Sequence, residues 1–242
     1  MALCLKISAA PIHADKMEEE NVAAVEEQKA QPQQGFVVNQ NDYLEVGIHI
    51  ATKVRSPGMS RFIYRVREDG LYLLDLKTID TRISTVANMI AMYDAKEVVV
   101  TASRIYAIVA AEKFASIIGA KFIKGRVTPG VFTNPHRQDY IEAKLILISD
   151  SRNEKQAVKE ASMQNIPIIA LSDTDNSTKF VDLILPSNNR GRKSLAFIYY
   201  LLTREVLRLR GDINSYEEFK HTQSEFEAKT ELRPQTAAPV QE

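Results

Sequence analysis

The chain has 242 residues, 45% of them hydrophobic, with 31 Lys and Arg against 31 Asp and Glu. That length suits one large α/β domain with tails or two small domains, and the apolar fraction is enough for a sizeable core. A single cysteine, Cys4, excludes an intrachain disulfide and a cysteine-built zinc site and predicts a reducing compartment, and no apolar run approaches the roughly 18 residues that span a bilayer.

The zero net charge conceals a pattern. Residues 1–40 hold three basic and six acidic residues, 211–242 hold three and seven, and 41–210 hold 25 and 18. A body of net charge +7 therefore lies between segments of −3 and −4. Such a body can bind nucleic acid by releasing condensed counterions, a function the whole-chain charge would exclude. Residues 1–40 read as a disordered acidic extension with a transient helix at 18–29. The apolar stretch near Met1 is too short and interrupted for a signal peptide. Met17, which opens the acidic run, is expected to be the true start.

From residue 41 the order becomes structural. Asn41 or Asp42 caps a short helix through Val46. His49, between Ile48 and Ile50, reads as a half-buried histidine with a satisfied ring, because no nucleophile or metal-ligand set accompanies it. Lys53, Arg55, Arg61, Arg65 and Arg67 follow with no acid among them. Phe62, Tyr64 and Val66 alternate with Ile63, Arg65 and Arg67, which is strand periodicity with one apolar, packing face and one cationic face. Asp69-Gly70 signals a hairpin into the apolar run 71–76. Cations interleaved with aromatics and unbalanced by acids point to nucleic acid.

The period then changes. Ile79, Ile83, Val86, Met89, Ile90 and Tyr93 mark one face of a helix capped by Thr78 or Asp80. Strands are expected at 97–101, 121–124, 143–149, 166–171 and 183–185. Helices are expected at 104–118, stopped by Gly119, and at 153–164. A long helix reaches Arg210 behind the polar turn Asn188-Asn189-Arg190-Gly191-Arg192-Lys193. This alternation predicts a mainly parallel sheet with helices on both faces. Two connections, 125–142 and 172–182, are long and leave carboxyl ends of strands, where open α/β sheets place ligands. Three cations at the start of the last helix cannot balance its dipole, so Arg190, Arg192 and Lys193 are expected to meet phosphate. Residues 215–229 read as a disordered tail or, alternatively, as a polar amphipathic helix through Tyr216, Phe219 and Phe226 that docks on a partner.

An enzyme of this architecture would show a phosphate-binding glycine motif, and neither G-x-G-x-x-G nor G-x-x-x-x-G-K-[ST] occurs. The alternative reading is a metal- or nucleotide-dependent enzyme using the strand-end carboxylates Asp75, Asp150, Asp173 and Asp175. The same residues also serve as turn and cap aspartates.

Four strings in order carry a resemblance: YLEVGIHIAT at 43–52, RVTPGVFTNP at 126–135, ALSDTD at 170–175 and ILPSNNRGRKSLA at 184–196. Together they resemble the ribosomal protein S2 family of the small subunit, in its archaeal and eukaryotic branch, over residues 41–210. Residues 70–98 leave room for one helix, not for the helical hairpin inserted in bacterial members. The chain has no Trp, unlike the acidic extension of animal members, which favours the archaeal side. The resemblance implies a flavodoxin-like three-layer α/β/α sandwich on cytoplasmic ribosomes. It implies small-subunit ribosomal RNA and neighbouring small-subunit ribosomal proteins as partners. It implies no catalysis, cofactor, metal, membrane or small-molecule substrate. Lys53, Arg55, Arg61, Arg65, Arg67, Arg190, Arg192 and Lys193 would then contact RNA, with Arg126, Asn134 and Arg137 as further candidates.

Overall fold

The protein is described from a computed structural model, in which residues 38–213 and 215–228 are described. The readings on 1–37, including the Met17 start and the helix at 18–29, lie outside the described residues, as does 229–242.

Five parallel strands form the central sheet: β3 (Val98–Ala102), β4 (Lys121–Lys124), β5 (Leu145–Ile148), β6 (Ile168–Ser172) and β7 (Leu183–Pro186), in the order β4-β3-β5-β6-β7. Thr101 lies beside Ile148, Ile148 beside Ala170, and Ala170 beside Ile184. β3, β5 and β6 are buried on both faces, as continuous apolar strands require. Alternate strand residues feed two separate cores. Val98, Val100, Leu145, Leu147, Ile169 and Leu171 face α2 (Leu76–Ala91), α3 (Ile105–Ile118) and α5 (Arg192–Arg210). Val99, Ile146, Ile148, Ile168 and Ala170 face α4 (Lys155–Met163) and the 125–144 connection, with Val181 at the margin.

This makes an α/β/α sandwich with unequal outer layers. The long connection supplies what a second helix would otherwise provide: Val127, Val131, Phe132 and Ala143 are buried on the sheet. Glu160 on α4 pins it, accepting from Gly130 N at 2.7 Å and Phe132 N at 3.2 Å.

The first helix, α1 (Gln40–Val46), ends at Gly47 in the left-handed conformation. Tyr43 on it is fully buried and donates to Asp80 Oδ1 at 2.8 Å. Asp80 is thus held inside α2 and does not cap it. The cap is Asp75, which accepts from Lys77 N and Thr78 N, so the expected start at Thr78 or Asp80 falls short by one turn. The predicted hairpin is present as β1 (Ile63–Val66) and β2 (Tyr72–Leu74), antiparallel and separate from the main sheet. A third extended stretch lines β2 through the Ile50–Leu73 bridge and Ala51 N to Tyr72 O at 2.9 Å.

After α5 the chain folds back. The short helix α6 (Gln223–Phe226) carries a Thr222–Glu225 capping box, and Phe226 is fully buried with its ring edge-on to Tyr200. Lys113 pairs with Glu225 at 3.0 Å and Arg192 with Glu227 at 2.8 Å. Residues 215–228 are therefore packed on α5 and α3, which corrects the reading of this stretch as an unpacked tail. The amphipathic alternative is closer, except that the partner is the chain's own domain.

Candidate nucleic-acid interface

The acid-free run at 53–67 is set against the carboxyl ends of β6 and β7. Ser56 N donates to Thr174 O at 2.7 Å, and Thr52 Oγ1 and Thr174 Oγ1 share a hydrogen bond of 2.9 Å. Asn188, in the turn before α5, donates through its backbone N to Ile48 O at 2.9 Å and through Nδ2 to Gly47 O at 3.3 Å. The cationic run and the basic turn before α5 thus both border the 172–182 connection.

The run is cationic and open. Lys53, Arg55, Arg61, Arg65 and Arg67 are all exposed. The apolar face expected to pack through Tyr64 and Val66 does not. Tyr64 is 72% and Val66 56% exposed, and only Phe62, in the 3-10 turn before β1, is buried. The strand periodicity is present, but the ribbon stands off the core and shows water an aromatic between arginines. Arg61 and Arg82 lie over the Phe62 ring at 4.9 and 5.6 Å, and Arg55 lies 6.0 Å from the Tyr72 centroid. These contacts hold guanidinium groups without neutralising them. Among the described residues no ion pair joins Lys53, Arg55, Arg61 or Arg65 to a carboxylate. Arg67 alone is paired, to Asp69 at 3.1 Å, and both are exposed.

The basic turn is different. Arg190 pairs with Asp175, and its Nε lies 3.6 Å from Asp173 Oδ2. Both carboxylates are almost completely buried. Arg192 is taken by Glu227. Lys193 is exposed and, among the described residues, forms no ion pair; it lines a groove shared with Asp42, Glu45 and Glu227. Two of the three cations expected to meet phosphate at this helix start are thus engaged internally.

The 125–144 connection also uses its polar residues locally. Arg137 donates through Nε and Nη2 to Asp139 at 2.6 and 2.8 Å and through Nη1 to Pro129 O at 2.7 Å. Asn134 Oδ1 accepts from His136 N at 3.0 Å. Arg126 is exposed and, among the described residues, forms no ion pair.

The strand-end carboxylates have protein partners. Asp75 is a cap. Asp150 is paired to Arg104 at 2.7 Å and accepts from Asn176 Nδ2 at 3.1 Å. Asp175 is shared by Arg152 and Arg190. Burial pushes the Asp173 carboxyl up to about 6 despite the Thr174 backbone hydrogen bond. Among the described residues no group of three or more His, Cys, Asp or Glu is arranged to hold a metal.

The switch point of this sheet lies between β3 and β5, where such folds place ligands, and side chains fill it. Glu154 is buried there, accepting from Thr101 Oγ1, from Ser103 N at 2.9 Å and from Ser103 Oγ at 3.1 Å. Burial raises its carboxyl to about 7. Ser149 Oγ and Tyr199 OH share a hydrogen bond of 2.6 Å beside it. His49 is half-buried as expected, but its Nδ1 is buried without a hydrogen-bond partner of ordinary geometry among the described residues. Burial lowers its pKa, an effect the Tyr43 backbone partly offsets.

The sequence has relatives of known family. A family model described as ribosomal protein S2 matches residues 137–208. The chain is 49% identical over 188 residues to small ribosomal subunit protein uS2 of Methanoregula boonei, covering 78% of this chain and 90% of that one. It is 51% identical over 187 residues to the uS2 protein of Thermofilum pendens, covering 77% and 87%. Against the uS2 protein of Picrophilus torridus it is 45% identical over 194 residues, covering 80% and 97%.

Proposed function

The chain belongs to the small ribosomal subunit protein uS2 family, on its archaeal side, and from that premise we propose that it is a structural constituent of the small ribosomal subunit that binds ribosomal RNA. It works on cytoplasmic ribosomes, supports subunit assembly and translation, and is not an enzyme. Its partners are small-subunit ribosomal RNA and neighbouring ribosomal proteins.

The observation that carries the RNA reading is the exposed, acid-free surface of residues 53–66, with Lys53, Arg55, Arg61 and Arg65 unpaired with any carboxylate among the described residues and Tyr64 open between them. Phosphate contacts of this kind fix position without reading sequence. Arg126 and Lys193 extend the interface. Arg67, Arg190 and Arg192 contribute field while held by Asp69, Asp175 and Glu227. Arg137 and Asn134 support the loop that carries Arg126. The binding body is the α/β domain of 41–210 with part of the acidic 211–242 segment, residues 215–228, packed on it, and the acidic 1–40 segment precedes it in sequence.

The test is binding of the full chain to a small-subunit ribosomal RNA transcript across a salt series. Affinity falls steeply with salt, and the R61A/R65A/R67A variant flattens the slope by about two while its circular dichroism is unchanged. An unchanged slope in that variant means that the ribbon is not the interface. On ribosomes, the endogenous protein sediments with small subunits at moderate salt and leaves at high salt.

A further inference from the structure

Two features of the 172–182 connection are not explained by the fold. Phe180 has φ of +62°, a conformation that L-residues avoid and that Gly or Asn usually occupies. The residue is also 70% exposed. A residue kept only for folding would relieve the first and avoid the second. Backbone strain in a bulky residue is a pointer to function when the surroundings enforce it.

Here they do. Phe180 is the third residue of a turn closed by Val181 N to Thr178 O at 3.4 Å. Both ends of the turn are anchored. Thr178 packs against Gly58, and Val181 reaches both apolar cores. The ring is thus held outward by a fixed base. Cations stand beside it in sequence and beyond the Gly58 contact. Lys179 is exposed and, among the described residues, forms no ion pair. Gly58 belongs to the run that bears Lys53, Arg55 and Arg61. Asp182, the nearest acid in sequence, is exposed and accepts from Ile168 N at 2.8 Å, at the amino end of β6.

We propose that Phe180 is a stacking platform for an unpaired RNA base, with the neighbouring cations holding that strand's phosphates. The flanking charge favours this occupant over an apolar pocket of a neighbouring protein. Aromatic faces accept any base, and phosphate contacts supply the approach, so the pair of features suits a single-stranded loop or bulge and not a duplex. The proposal rests on the RNA-binding reading above and adds the base-binding position.

The chain contains no Trp, so F180W introduces a sole indole at the site. Emission of F180W is expected to be quenched by oligo(A) and by a small-subunit ribosomal RNA transcript, and left unchanged by a blunt RNA duplex of equal length. F180N, which tolerates the left-handed backbone, is expected to keep or raise Tm while weakening oligo(A) binding roughly five- to a hundred-fold. Binding of the transcript by F180W without quenching, or full oligo(A) affinity in F180N, overturns the stacking proposal and leaves the RNA reading intact. A wild-type chain that binds neither RNA removes both. A blue shift without quenching on incorporation into small subunits assigns Phe180 to a protein pocket and also overturns the proposal.

Discussion

Gly58 lies against Thr178 so closely that a β-carbon on the glycine would fall 2.0 Å from Thr178 Oγ1 and 3.0 Å from both its Cβ and Cγ2. A branched, short side chain has nowhere to retreat. The contact fixes the acid-free run to the 172–182 connection, alongside the hydrogen bond from Ser56 N to Thr174 O.

The G58A variant is therefore expected to push the two segments apart. Overpacking of this kind costs about 1–3 kcal/mol, read as a lower urea midpoint at constant m. RNA affinity should fall as well, since the cations lose their common base. Removing the obstacle in G58A/T178G should recover part of both losses. If G58A alone matches wild type in both measurements, the two segments are not rigidly coupled.

The architecture was legible because its signals are local and repeated. Apolar residues at helical spacing in 79–93 and unbroken apolar strands such as 145–148 define layers without tertiary knowledge. The surface was legible only in part. Alternation at 62–67 says that two faces differ, not that either is covered, and Tyr64 and Val66 are in fact open. A cation in a sequence does not announce its carboxylate. Arg137 finds Asp139 two residues on, whereas Arg190 reaches back to Asp175 and Arg192 forward to Glu227. Glu160 escaped attention because a helix glutamate reads as solvated, and only the fold shows it accepting the loop's backbone N–H groups. Phe180 gave no turn signal, since phenylalanine rarely occupies a left-handed position.

That difference between free and engaged arginines can be measured. R65A removes an exposed guanidinium with no acidic partner among the described residues. It should lower the salt slope of RNA binding by about one and leave stability within about 0.5 kcal/mol of wild type. R137A removes the bonds to Asp139 and to the Pro129 carbonyl. It should lower Tm and leave the slope unchanged. The reverse pattern would exchange the roles assigned to these two residues.

The packed segment after α5 makes a separate prediction. Phe226 is fully buried against Tyr200, and the adjacent acids hold Lys113 and Arg192. F226A should destabilise the domain by about 3–5 kcal/mol, the range for emptying a buried phenylalanine site. Proteolysis should then cut near 215–228 first. Loss of the Glu227 contact also withdraws a carboxylate from Arg192, so the variant that is less stable should show tighter low-salt RNA binding per folded molecule. A stability change below about 1 kcal/mol would mean that this segment packs on the domain only weakly.

Two buried carboxyls set the response to pH. Burial raises Glu154 from 4.5 to about 7 and Asp173 from 3.8 to about 6. Both folded values exceed the unfolded ones, so the folded state binds the protons more tightly. Their contribution to stability therefore falls as pH rises through roughly 4 to 7 and recovers as pH is lowered through the same window, while His49, whose folded value burial lowers, contributes in the opposite direction. The span for Glu154 corresponds to a change on the order of 3–4 kcal/mol, since each unit is about 1.4 kcal/mol. E154Q keeps an oxygen to accept from Ser103 N and gains an amide to donate to Thr101 Oγ1, and it carries no charge to desolvate. It should be more stable than wild type at pH 8, equal to it near pH 5, and have a flatter profile between. Urea denaturation at a series of pH values reads this directly. A wild-type profile that rises from pH 5 to 8, or an E154Q profile parallel to it, would show that Glu154 is ionised at ordinary carboxylate pH and that its hydrogen bonds outweigh its burial.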